Sequence, residues 1–557
     1  MKRFLFWIIS VLFILVGCNK NELPENDVPQ LPEAFVKLMD AYRQGKVFDN
    51  ATARFGVTTV TFSDGSTVEA NTIELEINDC TLSDPLTVKD AGGYWQVGEM
   101  KKDVKVDRSL SDEKASPVYI YYDDKTLYIH LSNGNVISFW SLVLEEDKKN
   151  QIAEEELIRF QNLPVVRINT NGKPIVDKKN YVDGTITISD PEKLYSVISE
   201  YTAEMGIRGR GNSTWTFPKK PWKVKLDKAV SILGMPADKE WALLANYTDR
   251  TLMRNVVAMK LSEICGFSWT PRMRHVEVYL NDEYQGVYTF CEHKKVSPDR
   301  IDLDLAEEGD NEGEALTGDY YIEIEAALDE PVNWRTSMGV PLMFSDPDEP
   351  TAEQEAYIKQ LFADFEACLH SADMADPEKG YQSFIDVKSF IDYYIVQELT
   401  KNIDGNLFKS GFVTKQKGKK LEMYHLWDFD LTLGNCGYHH SSVGSGPDKF
   451  WILTVDSYSK PGENWFNLMM KDPAFVKRLK DRWNELKPSF DRIPTFIDQQ
   501  AKILEKAQER NFEVWDINET ITWVMMPSLG SYSAEVEYLR KFYKARLQWL
   551  DTEINRM

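Results

Sequence analysis

The chain has few cysteines and lacks an excess of basic residues. Six of its 557 residues are cysteines, and none forms a CxxC motif or a Cys/His pair with zinc-site spacing, so we expect buried free thiols. Asp and Glu outnumber Lys and Arg by 88 to 65, giving a formal net charge of −23. We therefore predict no nucleic-acid partner and expect any polyanion to bind at a local basic patch.

The most prominent apolar run lies at the N-terminus. Two basic residues precede an apolar stretch over 4–16, which is short for a transmembrane helix and typical of a signal peptide. It leads into Leu-Val-Gly and Cys18, which resembles a bacterial lipobox. We predict a lipoprotein signal peptide over 1–17, lipidation of Cys18 and a tether over 18–35. The acidic residues that follow resemble surface-export signals of Bacteroidetes-type lipoproteins, so we expect a cell-envelope lipoprotein of the outer membrane, exposed at its surface.

Periodicity divides the rest of the chain. Apolar and polar residues alternate from about 50 to 145, with Asp-Gly and Asn-Gly turns, which predicts a small all-β domain over 36–147. We interpret this domain as a spacer in preference to a binding module. Strand and helix patterns mix over 162–295, where we predict a helix that ends at Gly266 and a hairpin with a turn at Asn281 and Asp282. The chain is mostly helical from about 460. The sequence therefore predicts an α+β fold, with a second domain over 162–557.

Two segments carry candidate phosphate-binding residues. In IRGRGNSTW, which begins at residue 207, glycines let backbone N–H groups approach an anion, and Arg208 and Arg210 offer forked donors to phosphate. A surface turn with incidental charge is the alternative. Lys223 and Lys225 then share one face of a predicted strand, as expected of lysines that hold nucleotide phosphates, although a solvated strand face also explains them.

Two further segments carry candidate catalytic carboxylates. Asp404 and Asn406 follow a predicted helix, as a kinase places its catalytic base and a metal ligand, although Asp-Gly is also a common turn. Asp428 and Asp430 stand at the end of the next predicted hairpin, in LWDFDLTLGN. Close carboxylates repel each other unless a cation lies between them. The order of loop Asp, hairpin and second Asp is that of a kinase catalytic loop and metal-binding Asp.

The segment LWDFDLTLGN also has an alternative interpretation. Asp428 to Thr432 matches the DxDxT motif of haloacid-dehalogenase-type phosphatases, in which the first Asp is the nucleophile and the second is the acid/base. That motif usually follows an apolar strand at the start of a Rossmann-like domain. Here the preceding EMYHLW is only partly apolar and the residues after it are largely helical. We therefore favour the kinase-like interpretation.

Together these segments, with LLANYTDRTLMRN and GDYYIEIE, resemble the CotH kinase family, the spore-coat-protein-H type, over about 162–440. The resemblance implies an atypical protein-kinase-like fold that uses ATP and Mg²⁺ or Mn²⁺ to phosphorylate protein Ser or Thr. It implies that Asp404 orients the acceptor hydroxyl. It also implies that Asp428 binds magnesium. For Asp430 two roles stay open: a second carboxylate for the metal, or a helper that keeps Asp428 in its orientation.

The resemblance also assigns the phosphate side of the site. By position, Lys225, or Lys223, matches the phosphate-contacting lysine, so Lys225 joins Asp404 as a catalytic candidate. Arg208 and Arg210 match the family's phosphate-side arginines. Glu292 is a further, weaker candidate.

The sequence departs from a standard kinase in two places. Lys409 stands five residues after Asp404, where many kinases carry a metal-binding asparagine. Asn406 or Asn435 is a candidate substitute. Asp430 occupies the position of the glycine in the Asp-Phe-Gly motif. Both departures concern the geometry of the metal site.

Two classes of function remain open. The first is ATP-dependent phosphoryl transfer to a protein or glycan hydroxyl. The second is a non-catalytic surface binding or adhesion protein on a kinase-like scaffold, since an envelope lipoprotein meets little ATP and a fold does not fix a function. The Asp404, Asp428 and Lys225 set favours the enzyme, because a binding protein needs none of these side chains.

Overall fold

The computed structural model describes residues 162–192, 194–195, 200–437, 444–454, 463–519 and 524–557, together with the backbone of strands between 48 and 140. The predicted signal peptide, Cys18 and the tether lie outside the described residues. Predictions about them are therefore not tested by the structure.

Short strands form between residues 48 and 140, as the alternating pattern indicates. Their bounds are β1 Phe48–Arg54, β2 Val57–Phe62, β3 Thr67–Asn71, β4 Glu76–Ile77, β5 Cys80–Thr81, β6 Leu86–Asp90, β7 Tyr94–Val97, β8 Met100–Lys105, β9 Pro117–Asp123, β10 Thr126–Leu131 and β11 Val136–Trp140. They pair as β3-β2-β1-β6-β7-β8, as β11-β10-β9 and as β4-β5. The limits of this domain stay a prediction.

The next strands close into a barrel. Their bounds are β12 Val165–Asn169, β13 Val182–Ser189, β14 Glu200–Gly209, β15 Trp222–Ile232, β16 Met235–Leu244, β17 Met273–Leu280 and β18 Glu283–Glu292. The order is β12-β13-β14-β15-β16-β18-β17, and parallel pairing of β12 with β17 closes the ring. Alternate side chains fill the interior, where Ile207, Val224 and Trp241 are fully buried.

Local sequence signals fix two elements of this region. The β17–β18 turn has φ of 50° at Asn281 and 66° at Asp282, as a two-residue hairpin turn requires. Helix α1, Arg254–Cys265, ends at Gly266, whose φ of 71° is a left-handed cap. Both the hairpin turn and the helix stop at Gly266 are confirmed predictions.

A second sheet follows the barrel. Its strands are β19 Tyr320–Ile324, β20 Asn333–Arg335, β21 Pro341–Asp346, β22 Gly411–Lys415 and β23 Leu421–Met423, in the order β20-β21-β19-β22-β23. All of these pairs are antiparallel. A DxDxT phosphatase needs the parallel sheet of a Rossmann-like domain, so this arrangement argues against the phosphatase alternative.

Helices supply the rest of the described fold. They are α2 Ala352–Leu369, α3 Val387–Thr400, α4 Trp465–Met469, α5 Pro473–Phe490, α6 Ile493–Val514 and α7 Tyr532–Arg556. Helix α3 is buried nearly all round because α1, α5 and α7 pack against it. The mixture of strands and helices confirms the α+β prediction. No helix in the described ranges has the length and apolar content to cross a membrane.

The described cysteines match the expectation of free thiols. Within the part of the chain that the structure describes, Cys265, Cys291, Cys368 and Cys436 are buried and form no disulfide. Burial raises the pKa of the Cys291 thiol to about 12. This thiol therefore stays protonated and unreactive at neutral pH.

Candidate functional site

A cleft of about 310 Å³ is lined by residues of both the barrel and the second sheet. Its walls come from the β14–β15 loop, the end of β16, the start of α1, the loop after α3 and the segment after β23. Four residues predicted from the sequence line it: Arg210, Asp404, Asp428 and Asp430. Segments far apart in the chain therefore meet in one cavity.

Asp428 is held in an uncommon backbone conformation. Its φ is 68°, in the left-handed region, and the next residue, Phe429, is fully buried. The Phe429 N–H donates to Oδ1 of Asn255, at the start of α1, at 2.7 Å. The buried ring and this hydrogen bond fix the turn, so that the Asp428 side chain is exposed to the cleft.

Asp430 is anchored to the segment that follows β16. The Thr248 hydroxyl donates to Oδ2 of Asp430. The Asn435 amide donates to the backbone oxygens of Thr248, at 2.6 Å, and Asp430, at 2.8 Å. Asn435 therefore holds the segment after β16 against the turn at Asp430. It does not line the cleft, so the structure does not place it as a metal ligand.

The carboxylates perturb one another. Burial, followed by the charge of Asp404, raises the pKa of Asp428, while Arg210 and Lys409 act in the opposite direction. The Asp428 side chain is open to the cleft, so its surroundings are a recess in the protein and not a dry core. Burial and then the charge of Asp428 raise the pKa of Asp430 to about 8. The pair thus retains a proton near neutral pH unless a cation lies beside it.

We expect the contribution of Asp430 to stability to fall with rising pH in metal-free protein. Between pH about 4 and about 8 the folded protein holds the Asp430 proton and the unfolded chain does not. That contribution is therefore complete at the acidic end of this window and is lost as pH rises through about 8. Denaturant unfolding in EDTA measures it as the difference between wild type and Asp430→Asn. A difference that is constant from pH 4 to pH 8 would contradict this prediction.

The carboxylate pair fits a magnesium ion. Mg²⁺ usually takes one or two protein carboxylates, completed by substrate phosphates and water. Burial is the main reason why the pKa values of Asp428 and Asp430 are raised, and repulsion from neighbouring carboxylates comes second. A cation would relieve that repulsion. Among the described residues, no group of three or more His, Cys, Asp or Glu side chains forms a metal site. Asn406 is buried and its Oδ1 has no hydrogen-bond donor, but it does not line the cleft.

Asp404 lies on a tightly turned loop after α3. Oδ1 of Asn402 accepts the Gly405 N–H at 3.1 Å, which folds the loop back at the end of the helix. The Asp404 side chain is 23% exposed, and Nζ of Lys409 lies 3.2 Å from its Oδ1. The turned loop and the contact with Lys409 place this carboxylate at the cleft.

A family model described as CotH kinase protein matches residues 207–550, which is more than half of the chain. The chain belongs to the CotH kinase family. The resemblance predicted from the sequence is therefore confirmed. No curated protein matches the chain. The matched region includes Arg210, Asp404, Asp428 and Asp430.

The structure does not bring Lys223 or Lys225 to the cleft of this CotH chain. Both side chains leave the outer face of β15, because alternate residues such as Val224 fill the barrel. There they pair with Glu240 on β16, at 2.6 Å for Lys223 and 3.9 Å for Lys225. The alternative of a solvated strand face fits Lys225, whose side chain is 52% exposed, whereas Lys223 is largely covered at 13%. Neither lysine lines the cleft.

Arg208 and Glu292 also lie away from the CotH cleft. The Arg208 guanidinium lies 5.0 Å from the Tyr181 ring centroid and donates to the backbone oxygen of Lys178. Glu292 is fully buried and pairs with Arg272 at 2.9 Å. The placement of these two residues indicates structural roles.

Sequence reasoning missed two lysines that line the cleft, Lys219 and Lys294. Lys409 also lines it, although the sequence marked Lys409 only as a departure from the kinase pattern. Lys294 donates to Glu323 of β19, which also lines the cleft. Glu323 is a charged residue in an otherwise apolar strand. This contrast is the sequence signal that could have identified Glu323 as a site residue. Lys219 is buried and donates to the backbone oxygen of Val287 at 2.6 Å. Its position in PKKPW gives no sign of which lysine turns inward.

Proposed function

We propose that this protein is an ATP- and Mg²⁺-dependent kinase that transfers a phosphoryl group to a Ser or Thr hydroxyl of a protein. One observation carries the proposal: Asp404, Asp428 and Asp430 line a single cleft together with Arg210 and Lys409. Membership of the CotH kinase family supports it. Carboxylates for a cation, cations for phosphate and a carboxylate for the acceptor are the groups that phosphoryl transfer needs.

Each group has a defined task in this mechanism. Asp428 and Asp430 would hold the cation, which neutralises phosphate charge when bound. Arg210, whose guanidinium lies 5.5 Å from the Trp427 ring centroid, faces the nucleotide phosphates. Asp404 accepts the hydroxyl proton as the acceptor oxygen bonds to the γ-phosphorus. The bond from phosphorus to the β–γ bridging oxygen breaks at the same time, and ADP leaves with that electron pair.

Asp404→Asn tests this mechanism. General-base catalysis contributes about 10²–10⁴-fold, so kcat is expected to fall by that factor while KM for ATP changes little. Transfer from γ-labelled ATP is measured in Mg²⁺ with full-length protein, over a panel of dephosphorylated proteins and glycans.

Asp302→Asn is the matched control, because Asp302 is exposed and does not line the cleft. It should keep wild-type activity. Equal label transfer by wild type and Asp404→Asn on every acceptor would count against the kinase. It would favour the binding protein on a kinase-like scaffold.

The envelope location is a separate part of the proposal and is supported by the N-terminal sequence. We propose that diacylglycerol on Cys18 anchors the protein in the outer membrane. Cys18→Ala is expected to move the protein from the membrane fraction to the soluble fraction. Mass spectrometry of the wild-type N-terminal peptide should show the lipid. Membrane association that is equal in wild type and Cys18→Ala would contradict the anchor.

A further inference from the structure

Lys409 brings a positive charge to the position where many protein kinases carry a metal-binding asparagine. It follows Asp404 by five residues, and its Nζ lies 3.2 Å from Oδ1 of that carboxylate. The Lys409 side chain is 38% exposed and lines the same cleft as Asp428. Its ammonium group is therefore held beside the carboxylates while remaining open to a bound molecule.

The charges around it define its role. Arg210 and Lys409 are the cations whose charge favours the ionised form of Asp428. Lys294, which also lines the cleft, donates to Glu323. Lys409 is thus an ammonium group that the loop after α3 itself places in the cleft, beside the Asp404 carboxylate.

This placement leaves poor conditions for a second divalent cation next to Asp404. Such an ion finds few neutral side-chain oxygens in the same loop, because Asn406 is buried and does not line the cleft, and Ser410, which does line it, directly follows Lys409. It would also lie close to the Lys409 ammonium, which repels it. An ammonium group can instead bind phosphate oxygens directly, as a point charge with three donors.

We propose that Lys409 supplies the positive charge that a second divalent cation supplies in two-metal kinases, so that one cation accompanies the nucleotide. This inference rests on the proposed kinase function. The Lys409 ammonium contacts γ-phosphoryl oxygens while the bond to the acceptor forms and the β–γ bridge bond breaks, and it keeps its own protons throughout. Lys409 is then a catalytic residue.

Counting bound metal ions tests the proposal. Mn²⁺ is titrated into full-length protein with adenylyl-imidodiphosphate and free Mn²⁺ is followed by electron paramagnetic resonance. Wild type and Lys409→Arg are expected to bind one Mn²⁺ with the nucleotide, and Lys409→Asn two. Two ions or none in wild type, or no second ion in Lys409→Asn, would overturn the proposal.

Kinetics gives an independent arm. Lys409→Met is expected to lower kcat at least tenfold with KM for ATP changed less than threefold, because the lost charge acts on the transferring phosphoryl group. Lys419→Met is the control, since Lys419 is exposed at the β22–β23 turn. Unchanged kcat in Lys409→Met would overturn the catalytic role. Thermal unfolding of each variant verifies its fold.

The two proposals fail in different ways. If wild type transfers no phosphoryl group but binds one Mn²⁺ where Lys409→Asn binds two, the kinase function is contradicted and the replacement of a second cation by Lys409 is supported. If wild type is active and binds two Mn²⁺, the kinase function is supported and the replacement of a second cation by Lys409 is contradicted.

Discussion

Asp428→Asn is expected to lower kcat by at least about 10²–10³-fold without unfolding the protein. The substitution keeps the shape of the side chain and removes the charge that we propose holds the cation. Asparagine also tolerates the left-handed backbone at this position, where φ is 68°. Repulsion between residue 428 and Asp430 disappears, so metal-free protein should be as stable as wild type or more stable.

Two measurements check this expectation together. Initial rates with γ-labelled ATP report the loss of transfer, and thermal unfolding with and without Mg²⁺ and nucleotide reports the loss of cation binding. Asp302→Asn serves again as the exposed control. A variant that keeps the full wild-type shift in Mg²⁺, or its full rate, would show that the cation is held elsewhere.

Asp430 has an explanation in this geometry. In the Asp-Phe-Gly order a glycine would stand there, but here the side chain accepts the hydroxyl hydrogen of Thr248, 182 residues earlier in the chain. Asp430 therefore connects the turn at Asp428 to the segment that leaves the barrel, besides offering a second carboxylate. A glycine has no side chain with which to make this connection.

Local signals were enough for much of the fold. The stop of α1 at Gly266 and the turn at Asn281 and Asp282 were predicted because positive φ is encoded by one or two residues. The order of Asp404, hairpin and Asp428 was also readable, because all of it lies within one short stretch of chain. Such features depend on neighbours in sequence.

Contacts between distant segments could not be predicted. Asn255 holds the Asp428 turn across 174 residues, and Asn435 reaches Thr248 across 187. Lys225 was assigned to the site because it stands on a predicted strand shortly after a glycine-rich loop, where the family resemblance implies a phosphate-contacting lysine. Periodicity separates the two faces of the strand. It does not say which face fills the barrel interior, or whether the other face lies at the cleft. That choice is set by barrel closure through the pairing of β12 with β17.

The second large effect concerns stability and involves a buried ion pair behind the cleft. Arg546 of α7 is fully buried and donates to the Glu398 carboxylate at 2.6 Å and to its backbone oxygen at 2.7 Å. The same carboxylate accepts the backbone N–H groups of Trp451 and Ile452, at 2.8 and 2.7 Å. The pair thus joins α3, which leads to Asp404, with α7 and the segment over 444–454.

Arg546→Met is expected to lower the free energy of unfolding by about 3–5 kcal/mol, because it leaves the Glu398 charge buried without its partner. Burial already raises the pKa of Glu398 against the effect of Arg546. Losing the arginine raises the pKa of Glu398 further. The folded variant then holds a proton that the unfolded chain has already released, so its stability should fall as pH rises and be lowest at high pH. Urea unfolding followed by tryptophan fluorescence measures the loss.

The double variant Glu398→Gln/Arg546→Met separates charge from packing. It removes both charges and keeps much of the volume, so it should recover part of the stability lost in Arg546→Met and show less pH dependence. A double variant as unstable as the sum of its single variants would mean that packing, and not the unpaired carboxylate, sets the cost. Because the pair supports the helix before Asp404, any recovery of stability should be accompanied by recovery of phosphoryl transfer.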